Sequence, residues 1–261
     1  MEEIRLTDTH CHLTDLALQA DLPRIVQEAA AQGVRRFIVP ATQRGDWQQA
    51  IGLMQQRPSE NAAVHCAIGI HPWYAQEAAE QDFAELETLL HRYPQIWLGE
   101  TGLDFYNKNQ TQAQREWQIA VFARQLAIAQ KLQRRVIVHN LRATQQIVAA
   151  VKQQKFTGGG IAHAFSGSIE EAESLIRCGF YIGIGSLLLN PTAKKVRLAA
   201  AALPLDKIVL ETDSPFMLGN TVNTPANVRK IAGIVADLRG ITVAEVARQM
   251  EDNVNRLLAA V

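Results

Sequence analysis

A chain of 261 residues with 48 % apolar and 20 % charged residues has an ordinary globular composition and enough length for a substantial core, which excludes disordered, collagen-like and coiled-coil architectures. Its 26 basic residues balance 26 acidic ones, so no strongly basic face for gripping long nucleic acid is expected. Three cysteines without a Cys-x-x-Cys spacing, and no stretch near the roughly 18 apolar residues of a membrane span, point to a reducing, cytoplasmic setting with no membrane partner.

Along the chain, short apolar and β-branched runs recur at residues 4–6, 37–39, 64–68, 96–98, 136–138, 161–164, 181–184 and 208–210, giving eight candidate strands. Helical periodicity fills the intervals, as at 82–93, where Phe83, Leu86, Leu89 and Leu90 share a stripe, and at 111–132 with Trp117, Val121 and Ile128. Capping-box patterns at Ser168/Glu171 and Thr242/Glu245 mark two helix starts. Gly158-Gly159-Gly160 precedes a strand and no Lys-Ser/Thr pair follows it, so it reads as a turn and not as a phosphate cradle. Eight continuous apolar strands alternating with helices predict an α/β fold, a (β/α)₈ TIM barrel, with an open doubly wound sheet as the alternative. No linker divides the chain, so residues 1–261 are read as a single barrel domain with a last helix, 242–258, packed outside.

In such a barrel the reactive groups stand at the C-terminal strand ends. Those positions hold His10 and His12 after strand one, Glu100 after strand four, His139 after five, His163 after six, and Glu211 and Asp213 after eight. In extended backbone His10 and His12 share a face and Cys11 points away as a small packed residue. Imidazoles and carboxylates converging on one mouth are costly to bury without a cation, and six donors exceed one tetrahedral ion. The expected site therefore holds two divalent ions bridged by Glu100, with His10, His12 and Asp213 around one and His139 and His163 around the other. Asp213 is placed to take the proton of an activated water. Nitrogen-rich ligands suit zinc or manganese, and the carboxylates keep magnesium open. Ser166 and Ser168 lack a Gly-x-Ser-x-Gly elbow, which argues against a serine nucleophile. Asp104 and Glu211 are read as residues that orient ligands. Trp73, Tyr74, Phe105, Tyr106 and Phe165 follow strands three, four and six, where they either stack exposed bases or pack the rim.

The segments Thr7-Asp8-Thr9-His10-Cys11-His12, Gly99-Glu100-Thr101-Gly102-Leu103-Asp104, His163-Ala164-Phe165-Ser166-Gly167-Ser168 and Glu211-Thr212-Asp213-Ser214-Pro215 resemble the motifs of the TatD family of metal-dependent hydrolases, and Ile68-Gly69-Ile70-His71-Pro72 matches the segment after strand three. Within that family, Ile38-Val39-Pro40-Ala41-Thr42 and Leu203-Pro204-Leu205 are most similar to the bacterial YjjV branch. The resemblance implies a barrel of the amidohydrolase type, a dinuclear divalent-metal centre, and deoxyribonuclease activity on DNA ends or short oligonucleotides. It carries over His10, His12, Glu100, His139, His163 and Asp213 as metal ligands, with Glu100 and Asp213 in catalysis, and His71 as a group reaching the substrate phosphate. The family's Ser-Arg after the fifth-strand histidine is replaced by Asn140-Leu141-Arg142, which moves the phosphate-binding arginine one position on, to Arg142. Arg134-Arg135 stands where a proline is usual, Thr14 where Asp or Asn is usual, and the loop 217–225 lacks an Arg-Gly. An amide or ester hydrolase is the alternative, since an activated water attacks carbonyl carbon as well as phosphorus; a non-catalytic scaffold comes after it. No obligate protein partner is indicated.

Overall fold

A computed structural model describes residues 4–59 and 62–259. All eight expected strands form: β1 (Leu6–Asp8), β2 (Val34–Ala41), β3 (Ala63–Ile68), β4 (Trp97–Asp104), β5 (Val136–Leu141), β6 (Gly160–His163), β7 (Phe180–Ile184) and β8 (Ile208–Leu210). They pair in parallel and in chain order from β1 to β8. The seam between β8 and β1 closes past the strand ends, where Thr9 N donates to Leu210 O at 3.0 Å, Asp213 N to His10 O at 2.8 Å and His12 N to Ser214 O at 2.7 Å. Helices α1 (Leu16–Gln19), α2 (Leu22–Ala31), α3 (Arg44–Gln56), α4 (Glu80–Arg92), α5 (Gln112–Leu132), α6 (Thr144–Gln153), α7 (Ile169–Arg177), α8 (Lys194–Ala202), α9 (Val228–Arg239) and α10 (Val243–Ala259) fill the connections and the C-terminus. This is a (β/α)₈ barrel, and both predicted capping boxes form, at Ser168 and at Thr242.

Strand alternation sorts the core into two sets. Outward residues such as Phe37, Val39, Val136 and Val138 pack with the helices. Inward ones, Ile38, Ala67, Trp97, Ile137, Ile161 and Val209, form a separate cluster that closes on Val254 and Leu257. The last helix is therefore not an outer helix, as its pattern suggested; α10 crosses the N-terminal mouth and floors the barrel. Asn253 Nδ2 donates to Ile208 O at 2.7 Å and Arg135 Nε to Leu257 O at 2.6 Å, fixing it there. Arg135 also donates to Gly158 O, while the Arg134 guanidinium reaches Leu132 O and Leu90 O, so the double arginine ties loop carbonyls together at this end.

Two strands differ from their apolar runs. β1 starts at Leu6 and includes polar, buried Thr7 and Asp8, because Thr7 Oγ1 donates to Glu251 Oε1 at 2.5 Å and Asp8 is held by Thr212. β4 continues through Gly99-Glu100-Thr101-Gly102-Leu103 to Asp104, which is thus the last residue of the strand and not part of a turn. Gly102, at φ +136°, makes this possible: a Cβ there would stand 2.1 Å from His139 O, so only glycine lets β4 run this close to β5.

His65 lies two residues before Ala67 on the inward face near the floor. Burial, with Arg36 adding, pushes its pKa from 6.5 down to about 4. Between those values the unfolded chain takes up a proton that the folded one refuses, so this contribution to stability is complete above pH 6.5 and is lost as pH falls towards 4. The urea midpoint of His65→Gln should accordingly fall less steeply on acidification than that of the unaltered chain. Parallel slopes would place the acid sensitivity elsewhere.

Candidate metal centre at the barrel mouth

At the C-terminal mouth the predicted ligands converge on the Glu100 carboxylate. Its Oε2 lies 3.2 Å from His10 Nε2 and 3.8 Å from His12 Nε2, and its Oε1 lies 2.6 Å from His163 Nε2, 3.0 Å from His139 Nδ1 and 3.3 Å from His71 Nε2. One oxygen thus faces the β1 histidines and the other faces those of β5 and β6. Asp213 Oδ1 is 3.6 Å from His10 Nε2 and 3.3 Å from His12 Nε2. Three ligand-like groups result, His10–His12–Glu100, His10–His163–Asp213 and His71–Glu100–His139, each with its donor atoms within 4.8 Å of one another. Cys11 is buried on the opposite face, its thiol 3.8 Å from Ile38 O.

The donor set fits divalent cations. His10 Nε2 and His12 Nε2 approach to 3.2 Å, and His139 Nδ1 and His163 Nε2 to 3.1 Å, so lone pairs crowd unless a proton or a cation lies between them. The His10 and His163 rings stack at 3.9 Å, and the Nδ1 atom of each is buried without a hydrogen-bond partner. Burial, reinforced by His163, pushes His10 down to about 4, leaving it neutral as a ligand must be. Burial alone would raise Glu100, but His163, His71 and His10 hold its carboxyl well below the usual range. Asp213 is likewise held low against burial, by His12 first. His139 resists burial and rises to about 9 because Asp104 and Glu100 both face it.

A layer behind these groups fixes them. Asp8 accepts from Thr212 N at 2.9 Å, from Thr212 Oγ1 at 2.5 Å and from His10 N at 3.3 Å, tying β1 to the Asp213 segment. Glu211 Oε1 accepts from Ala164 N at 2.5 Å, beside His163, and burial drives this carboxyl far above its ordinary range. Asp104 Oδ2 lies 3.5 Å from His139 Nε2. Two glutamines on α5 escaped sequence reasoning: Gln125 Oε1 accepts from Ile70 N at 2.8 Å while its Nε2 donates to Ile70 O at 2.9 Å, and Gln118 Oε1 accepts from Asp104 N at 2.9 Å. They sit seven residues apart, on one helix face, and hold the backbone next to His71 and at Asp104.

His71 caps a turn and faces the Glu100 carboxylate. Its Nδ1 accepts from Trp73 N at 3.2 Å, capping the short turn Pro72–Tyr74, and burial lowers its pKa. A neutral ring that accepts at Nδ1 carries its proton on Nε2, so the atom facing Glu100 is a donor and not a lone pair for metal. Arg142 is exposed, in the left-handed region at φ 57°, with its guanidinium over the Tyr106 ring at 4.6 Å. Of the loop aromatics, Trp73 and Tyr106 are exposed, Phe105 and Phe165 are buried in the rim, and Tyr74 packs partly buried. Phe216, not singled out in the sequence, meets the His12 ring edge-on at 5.5 Å.

The chain is similar to known proteins over nearly its whole length. The profile of the family described as TatD related DNase matches residues 7–259. The metal-dependent hydrolase YabD of Bacillus subtilis is 31 % identical over 258 residues, covering 97 % of this chain and 98 % of the relative. The 3′-5′ ssDNA/RNA exonuclease TatD of Erwinia tasmaniensis is 29 % identical, covering 96 % and 98 %. The crystal structure of the TatD homologue YJJV from Escherichia coli superposes with a TM-score of 0.89 at 28 % identity, covering 98 % of both chains.

Proposed function

This chain belongs to the TatD-related DNase family, and on that premise we propose that it is a metal-dependent phosphodiesterase that shortens single-stranded nucleic acid from an end. The observation that carries the reading is the split of the Glu100 carboxylate between His10 and His12 on one oxygen and His139 and His163 on the other. His10, His12, Glu100, His139, His163 and Asp213 would hold two divalent ions. Bound there, such ions supply Lewis acidity, lowering the pKa of water and screening phosphate charge. The chain's own groups do the rest. The His71 Nε2–H donates to a non-bridging phosphate oxygen, and Arg142 offers a second cationic donor at the rim. Asp213, whose side chain is 15 % exposed while that of Glu100 is 3 % exposed, faces the mouth and accepts the proton of the attacking water. The balance of 26 basic and 26 acidic residues suits short substrates, since few backbone phosphates can be neutralised. A cytoplasmic setting and a one-domain chain complete the proposal; no helix among the described residues is long and apolar enough to cross a membrane.

Metal-stripped protein incubated with a single-stranded oligonucleotide labelled at its 5′ end should shorten it only when magnesium, manganese or zinc is returned, and His163→Ala should abolish the shortening. Intact DNA in the presence of two bound ions per chain would defeat the phosphodiesterase reading and direct the search to amides and esters.

A further inference from the structure

Two large rings stand in solvent beside this centre, Trp73 at 70 % exposure and Tyr106 at 60 %. One carboxylate anchors both: Trp73 Nε1 donates to Asp104 Oδ2 at 2.8 Å, and Tyr106 N donates to Asp104 Oδ1 at 2.9 Å. The Trp73 ring meets His71 edge-on at 4.8 Å, and the Arg142 guanidinium caps the Tyr106 ring at 4.6 Å. The same Asp104 faces His139 at 3.5 Å. An exposed indole tethered through its N–H is not free to fold onto the surface, so it offers a fixed π-face whose ordering need not be supplied on binding.

We infer that Trp73 and the Arg142-capped Tyr106 form a nucleobase platform on which the unpaired base next to the scissile phosphate stacks. This rests on the nucleic-acid reading above and adds the residues that select the substrate. The ring nearest the centre adjoins His71, the proposed phosphate donor, so base and phosphate of one nucleotide meet adjacent groups. A duplex keeps its bases stacked on one another, and a fixed ring at the rim therefore reads single strands. Stacking tolerates any base, because each has a π-face. The Arg142 guanidinium, over the Tyr106 ring at 4.6 Å, keeps its N–H donors available to phosphate oxygens beside the stacked base.

The test separates binding from cleavage. Full-length protein in excess chelator is titrated with a tetradeoxyadenylate and with a tetramer of the same backbone carrying abasic residues, by calorimetry and indole fluorescence. The base-bearing tetramer should bind at least about 5-fold tighter and quench fluorescence, a preference that Trp73→Ala abolishes and Trp73→Phe largely keeps. Equal affinity for both tetramers, or a preference that survives in Trp73→Ala, overturns the platform. Metal-loaded protein is then given both tetramers. Equal shortening of the two would leave the nuclease reading standing and reject the platform alone, whereas neither binding nor shortening would reject both and point to a protein or lipid occupant of the exposed rings.

Discussion

Glu100→Gln is expected to cut hydrolysis of a single-stranded oligonucleotide by roughly 10³-fold or more, the scale on which a preorganised charged site loses rate when a key group is removed. Bound metal, measured by mass spectrometry of the purified protein, should fall from two ions to at most one. The reason lies in the geometry: two oxygens of one carboxylate serve histidines from opposite sides of the mouth, and glutamine offers one acceptor and one N–H₂ donor in the same volume. The donor end would face His10 and His12 or His139 and His163, opposing a cation on that side. The protein otherwise keeps its packing, because Glu100 lies within β4 and the shape of its side chain is retained. Thermal stability gives an independent reading. Ligands that bind only the folded state stabilise it by mass action, about 2.7 kcal/mol at a hundred times the dissociation constant. Metal should thus raise the melting temperature of the unaltered chain clearly and that of Glu100→Gln much less. Two ions retained at a near-normal rate would show that Glu100 is not the bridge.

The barrel was legible because its strands are buried on both faces, so runs such as Phe37-Ile38-Val39 and Val136-Ile137-Val138 stand out without alternation. Strand ends were not legible where polar residues are satisfied by distant partners. Thr7 and Asp8 read as a strand terminus, yet Glu251 and Thr212 bond them into β1. The last helix was readable as a helix, but nothing in its pattern states which surfaces its buried side chains meet: in α10, Val246 and Met250 join the outer core while Val254 and Leu257 close the barrel floor. The candidate ligands were readable because the fold confines chemistry to strand ends, and the structure gathers all six around one point. Gln118 and Gln125 were not, since a helical glutamine ordinarily faces water; only the tertiary fold brings backbone groups of Ile70 and Asp104 against them. Neither was the Arg142–Tyr106 stack, which depends on a left-handed backbone at Arg142 that no local pattern announces.

Asp213→Asn should lower kcat by about 10²- to 10⁴-fold, the usual share of a positioned general base, while KM for a short oligonucleotide changes little. Asparagine suits this position unusually well. Asp213 sits at φ 56°, in the left-handed region that asparagine tolerates better than most residues, and its backbone N–H to His10 O is untouched. The side-chain oxygen that lies near His10 and His12 is also preserved, so a ligand role would be damaged less than a proton-accepting one. Metal content and catalysis therefore part company: a loss of rate with two ions retained assigns Asp213 to proton transfer. If rate and metal fall together, Asp213 acts as a ligand alone, and Glu211, already hydrogen-bonded to Ala164 N, is too deeply buried to replace it as the base. A rate within about 5-fold of the unaltered chain would be far below what a general base contributes, and would remove Asp213 from the chemistry altogether.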